Sequence, residues 1–235
     1  MSKKLIAILL TLVMLLSFAA CGNEAVQTPS DEPTVPTTTE GVNPLIGHQL
    51  VTFGTSITYG QGAATCYGKL IADRNEMVHT NFAVGGHSAI KTYGVYTIQK
   101  NLAPLKDLTA DDYVIFEGLF NNYSLAKGAL SPEGTTLFDT NTVYGALEQT
   151  IYDYKQSGCP AKVGYILTHY GQDTSDPENY GPIWQIAVDV CEKYDIPLLD
   201  LRYKPYELNS DKVHLTTAGQ QAMADDVEAW LKTLK

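Results

Sequence analysis

Leu50-Val51-Thr52-Phe53-Gly54-Thr55-Ser56-Ile57-Thr58 reads as a short strand stopped by a glycine, with three hydroxyl side chains in the next four residues. A short apolar run bounded by a turn signal is the pattern of a strand covered on both faces, as in a parallel sheet. The unit recurs downstream. Val78 to Val84 reads as a second strand closed by Gly85-Gly86, Asp112 to Glu117 as a third, Lys162 to Thr168 as a fourth and Ile196 to Leu201 as a fifth. Helical spacing fills the intervals: near Tyr67–Asn75, from Ala89 to Leu102, from Asn141 to Gln156, from Pro182 to Tyr194, and from Thr216 to Leu234. Asn141 and Thr216 are the expected N-caps of the third and fifth of these helices. Strand alternating with helix five times predicts a three-layer α/β/α sandwich on a five-stranded parallel sheet, because right-handed crossovers put helices on both faces. Binding and catalytic groups in such sheets collect at the carboxyl ends of the strands.

The chain has 235 residues, 44% of them hydrophobic, enough for one full core. Its formal net charge of −10 argues against a nucleic-acid partner, which would need clustered Lys and Arg. Lys3 and Lys4 precede an apolar run from Leu5 to Leu16, and Ser17-Phe18-Ala19-Ala20 lead into Cys21. A basic start, a short apolar core and small residues before a cut site describe a secretory signal. The run is shorter than the ~20 residues a membrane span needs. Residues 22–45, rich in Thr, Pro, Glu and Gly, have too little apolar surface to offset the entropy of ordering and read as a tether. The folded domain is expected over 46–235. Beyond Cys21 stand Cys66, Cys159 and Cys191, an odd number with no Cys-x-x-Cys spacing, which argues against zinc. A Cys159–Cys191 disulfide and buried free thiols are both open readings.

Four strand ends carry chemistry. Gly54-Thr55-Ser56-Ile57-Thr58 follows the first strand, Gly85-Gly86-His87-Ser88 the second, Gly118-Leu119-Phe120-Asn121-Asn122 the third, and Asp211-Lys212-Val213-His214 leads into the last helix. Acyl transfer from a serine needs a base, a carboxylate to orient that base, and preorganised donors for the oxyanion. Ser56, His214, Asp211, the Gly86 N–H and the Asn121 amide supply that set. Each has a plainer reading: Ser56 as a helix N-cap, Gly85 and Gly86 as a tight turn, Asn121 as a turn residue, His214 as a cap or surface residue. Gly-x-Ser-x-Gly is absent, since Thr58 stands at its last position, which disfavours the α/β-hydrolase elbow. No Gly-Lys-Ser/Thr phosphate loop occurs, and His79, His87, His169 and His214 lack metal-ligand spacing, so neither metal nor cofactor is expected.

These four blocks resemble those of the SGNH (GDSL-like) hydrolases, in order and over residues 48 to 234. The resemblance implies a flavodoxin-like fold. It makes Ser56 the nucleophile, Asp211 and His214 the base pair, and Ser56, Gly86 and Asn121 the oxyanion donors. Thr55 stands where that family usually has Asp, and Asn122 where it has Asp after Asn. The family's Asp orders the nucleophile loop, so Thr55→Asp is expected to keep or raise activity. Thr55, Asn122, Tyr123, His169 and Tyr170 are candidate substrate contacts, with Tyr93 and Trp184 as further aromatic platforms. The start of the chain resembles a bacterial lipoprotein signal, with Cys21 as the lipidated residue. Together these imply an exported, membrane-anchored esterase that removes short acyl groups, chiefly acetyl, from a glycan or other small ester, touching the membrane only through its lipid. A lipase, lysophospholipase or thioesterase on fatty acyl esters is one alternative. A lipid-anchored glycan-binding protein with a weakened site is the other, suggested by Thr55 and Asn122.

Overall fold

The computed structural model describes residues 42–88, 101–118, 121, 125–168 and 177–235, with backbone alone at 102, 104 and 177–180. Five strands form one parallel sheet: β1 Gln49–Phe53, β2 Val78–Asn81, β3 Tyr113–Glu117, β4 Lys162–Leu167 and β5 Leu198–Asp200, in the order β2-β1-β3-β4-β5. Six helices are described: α1 Ser56–Tyr59, α2 Tyr67–Arg74, α3 Leu102–Leu105, α4 Val143–Gln156, α5 Pro177–Tyr194 and α6 Thr217–Leu231. The expected helix from Ala89 falls outside the described residues except at its end, where α3 begins.

Period-two alternation sorts each strand between two cores. Val51, Phe53, Val114, Phe116, Tyr165 and Leu167 pack with α4 and α5 on one face. Leu50, Tyr113, Ile115 and Ile166 pack with α2 and α6 on the other. Strands buried on both faces are largely apolar, and all five residues of β3 are buried, the charged Glu117 at its end included. Each fully buried Leu or Ile stabilises by about 1.5–3 kcal/mol. Gly164 of β4 seats α6, since a Cβ there would come within 2.2 Å of the Trp230 ring. Between α4 and α5, Glu148 is fully buried but paired with Lys193 at 2.6 Å and accepts from the Ser131 N–H and hydroxyl at 3.0 and 2.7 Å. Removing one partner would leave a buried charge unpaired, which is where such pairs become costly.

Several boundaries differ from the sequence expectation. The packed unit already includes residues 42–45: Leu45 is fully buried, and Asn43 Nδ2 donates to Asn75 Oδ1 at 2.7 Å. Thr142, not Asn141, caps α4. Its extended backbone lets Oγ1 accept from Gly145 N, whereas Asn141 bonds back to Asp139. Thr216 caps α6 through Gly219 N, as expected; such a cap contributes about 1 kcal/mol. β2 ends at Asn81 rather than Val84, although Phe82 N and Val84 N still donate to the Thr52 and Gly54 carbonyls at 2.8 and 3.1 Å, while Asn81 Oδ1 takes the Ala83 N–H. α5 starts five residues before Pro182, which lies inside it. Cys66, Cys159 and Cys191 are free thiols, so the Cys159–Cys191 disulfide is not formed.

The sheet order positions the site. The chain runs from β1 out to β2, then returns past β1 to β3. The connections leave β1 and β3 in opposite directions and open a crevice beyond their carboxyl ends.

Candidate active site

Thr55 takes the N-cap position of α1 with extended backbone, so Ser56 is the first helical residue rather than its cap. Gly60, at φ 86°, closes α1 after one turn by donating to the carbonyls of Ser56 and Ile57. Buried Gln220 of α6 locks this short helix in place: its Nε2 donates to the Ile57 carbonyl at 2.9 Å, and its Oε1 accepts from Tyr67 N at 2.8 Å. Ser56 is 8% exposed.

Beyond β2 the turn at Gly85-Gly86 passes close to Ser56. A Cβ on Gly85 would lie 2.6 Å from Gln61 Oε1, and Gly86 has φ 74°, the left-handed region that favours glycine. Beyond β3, Asn121 Nδ2 donates to the His87 carbonyl at 2.7 Å. An amide nitrogen carries two hydrogens, so one bond fixes the side chain and a second hydrogen remains for a ligand.

Asp211 and His214 sit in a tight turn. Asn209 N donates to the His214 carbonyl at 2.8 Å, and Lys212 adopts φ 63°. A Cβ on Gly62 would meet Asn209 Nδ2 at 2.6 Å, so glycine there lets this turn approach the loop after α1. His214 Nδ1–H donates to Asp211 Oδ2 at 2.8 Å, while Asp211 Oδ1 accepts from the Val213 and His214 N–H groups at 2.9 Å. The His214 ring chiefly, and the two backbone donors with it, hold the Asp211 carboxyl down to about 2. With Nδ1 donating to a carboxylate, Nε2 carries the lone pair, the tautomer a general base requires.

Ser56, Gly86, Asn121 and His214 line one cavity of about 260 Å³, together with Thr55, Ile57, Gln61 and Val213. Among the described residues no hydrogen bond joins Ser56 Oγ to His214. Such contacts often close only when substrate binds. A larger cavity of about 600 Å³ lies at the opposite edge of the sheet, by Lys162, Pro197 and Trp230, but no serine, cysteine or histidine lines it. Among the described residues no group of three His, Cys, Asp or Glu could hold a metal ion.

The structure narrows one candidate, withdraws another and adds others. Thr55 lines the cavity, but its N–H and hydroxyl both bond to Glu117 beneath the turn, so its polar atoms are already engaged. Asn122, Tyr123, His169, Tyr170, Tyr93 and Cys21 lie outside the described residues. Trp184 is 6% exposed and packs in the α4/α5 core, which withdraws it as a platform. Sequence reading missed Gln61 and Val213 in the cavity. The Gly60-Gln61-Gly62 triplet was the available signal for Gln61, a polar residue in a loop bent by two glycines.

No family sequence model matches the chain, and no curated protein matches it in sequence. Solved structures do match by fold. A protein designated a GDSL-like lipase from Bacteroides ovatus aligns with a TM-score of 0.61 at 13% identity, over 79% of this chain and 98% of that one. An acetyl xylan esterase aligns at 0.57 and 18% identity, over 77% and 98%. A family two carbohydrate esterase from Clostridium thermocellum, solved with cellohexaose, aligns at 0.54 and 15% identity, over 80% and 64%. At these identities the likeness is one of fold: the chain shares the α/β architecture of these proteins.

The Asp211–His214 pair makes a kinetic prediction. A carboxyl held at about 2 stays ionised throughout the range above about pH 4. Stability or activity that depends on it is present above the ordinary carboxylate range and is lost only as pH falls toward 2. An acid limb of the rate profile between pH 5 and 8, where histidines change charge, therefore reports another group. Asp211→Asn should lower kcat on the order of 10⁴-fold with KM little changed. An innocuous Asp211→Asn would remove the carboxylate from the mechanism.

Proposed function

We propose that the chain is a serine ester hydrolase of the SGNH type, acting on short acyl esters, chiefly acetyl, carried by a carbohydrate. The observation that carries this reading is the convergence of Ser56, Gly86, Asn121 and His214 on one cavity, with His214 bonded to Asp211 behind it. Ser56 Oγ attacks the ester carbonyl and gives its proton to His214 Nε2. Asp211 stabilises the imidazolium. The N–H groups of Ser56 and Gly86 and the Asn121 amide receive the oxyanion, each such donor contributing about 10²–10³ in rate. Collapse expels the sugar alkoxide, which takes the proton from His214. A water, deprotonated by His214, then attacks the acyl-serine carbonyl; the acyl–Oγ bond breaks, Ser56 Oγ takes the proton back from His214, and the carboxylic acid leaves.

Two observations support a short acyl group. The cavity, about 260 Å³, is below the ~300–1,000 Å³ of pockets that enclose drug-sized ligands. Two of the fold neighbours are carbohydrate esterases by name, one solved with cellohexaose. A fatty-acyl enzyme would gain about 0.8 kcal/mol per buried methylene, close to fourfold in affinity. Its efficiency would climb steadily from acetyl to octanoyl p-nitrophenyl esters. The expected profile instead peaks at acetyl or propionyl and falls beyond butyryl, with acetate released from an acetylated polysaccharide. Efficiency still rising at octanoyl, without acetate from any glycan, would favour the lipase or thioesterase reading.

The same reading includes export and lipidation at Cys21, with the Thr/Pro-rich segment as tether; its support is the signal pattern of residues 3–21. Cys21→Ala should release the protein from membranes or block its processing. Unchanged detergent partitioning with an uncut N-terminus would refute it.

A further inference from the structure

Glu117 closes β3 and is 7% exposed, yet among the described residues no cation pairs with it. A carboxylate buried this way costs several kcal/mol unless hydrogen bonds satisfy it. Its partners are specific. Oε2 accepts from Thr55 N at 2.7 Å and from Thr58 Oγ1 at 2.8 Å; the Thr55 hydroxyl sits 3.1 Å from both oxygens; Oε1 accepts from Thr168 Oγ1 at 3.2 Å. Three of these donors belong to residues 55 and 58, which bracket Ser56. The backbone is built to admit the carboxylate. A Cβ on Gly54 would lie 2.4 Å from Oε2, and one on Gly118, at φ 146°, would lie 3.3 Å from Thr55 Cγ2.

We propose that Glu117 is a positioning residue for Ser56: its carboxylate, delivered from β3, holds Thr55 and Thr58 and so fixes the turn that presents the hydroxyl, in place of an acidic side chain at position 55. This rests on the reading of Ser56 as nucleophile. Positions 55 and 117 then share one carboxylate between them, which reverses the expectation for Thr55→Asp. Aspartate at 55 would press a second carboxylate against the first, and two carboxylates in one buried site force one to keep a proton. The titratable groups facing Glu117 offer no relief: Tyr67 from α2 and Tyr165 from β4 are both held uncharged by burial. Burial likewise raises the Glu117 carboxyl, against the pull of its four donor groups.

The test compares wild type, Glu117→Gln, Thr55→Asp and the double variant. The readouts are kcat and KM on p-nitrophenyl acetate from pH 5 to 9, and hydrogen exchange of the residue-55 amide followed by NMR. Glu117→Gln should lower kcat about tenfold to a hundredfold with KM within about twofold, the scale of loss from a misplaced reacting group. Thr55→Asp should also lose activity, and regain part of it as pH falls and the carboxyl pair takes up a proton. The double variant should exceed Thr55→Asp by at least about tenfold, because one carboxylate again sits under the turn. The residue-55 amide should be protected in wild type and exchange faster in Glu117→Gln. Losses that simply multiply in the double variant, or an unchanged kcat and amide protection in Glu117→Gln, would overturn the assignment. A wild type that fails to turn over the ester would instead sink the esterase reading, and the exchange measurement would still decide the role of Glu117.

Discussion

The reversal of the chain between β2 and β3 is the constraint on which the rest depends. β1 lies between β2 and β3 in the sheet, so the segments leaving β1, β2 and β3 all emerge around one crevice. Ser56, Gly86 and Asn121 occupy those three exits. The His214 turn arrives from the far end of the chain, brought in by α6. Its anchor is the Gln220 amide, which bonds across 163 residues to the Ile57 carbonyl. The two central strands that end there, β1 and β3, are packed on both faces, which fixes the floor of this crevice.

Much of the fold was legible in the sequence because burial on both faces leaves a strong mark. Val114-Ile115-Phe116 and Tyr165-Ile166-Leu167 are apolar without interruption and can be little else than central strands. Element ends were less legible, since local side-chain bonds decide them. Asn81 captures a backbone N–H two residues on, just past the end of β2, and Thr142 takes the α4 cap while Asn141 bonds back to Asp139. Both residue types suit both roles, so composition does not separate them.

The candidate site divides in the same way. Ser56, Gly86, Asn121, Asp211 and His214 could be read because each falls in a short block at a strand end, and the structure brings four of them to one cavity with the fifth bonded behind. Glu117 could not be read as part of it. Its partners Thr55, Thr58 and Thr168 lie up to 62 residues away in sequence, and a lone Glu at the end of an apolar strand has no local pattern. Thr55 was legible only in part for the same reason. It follows a strand toward the cavity, yet its polar atoms turn down to a carboxylate that only the tertiary fold supplies.

The central claim is that Ser56 is an activated nucleophile, and covalent labelling tests it most directly. A fluorophosphonate probe followed by peptide mass analysis should show a single adduct, on the peptide containing Ser56. The adduct should be absent from Ser56→Ala and slowed by orders of magnitude in His214→Ala, where the base is gone. No adduct on folded wild-type protein, or an adduct that persists in Ser56→Ala, would contradict the account.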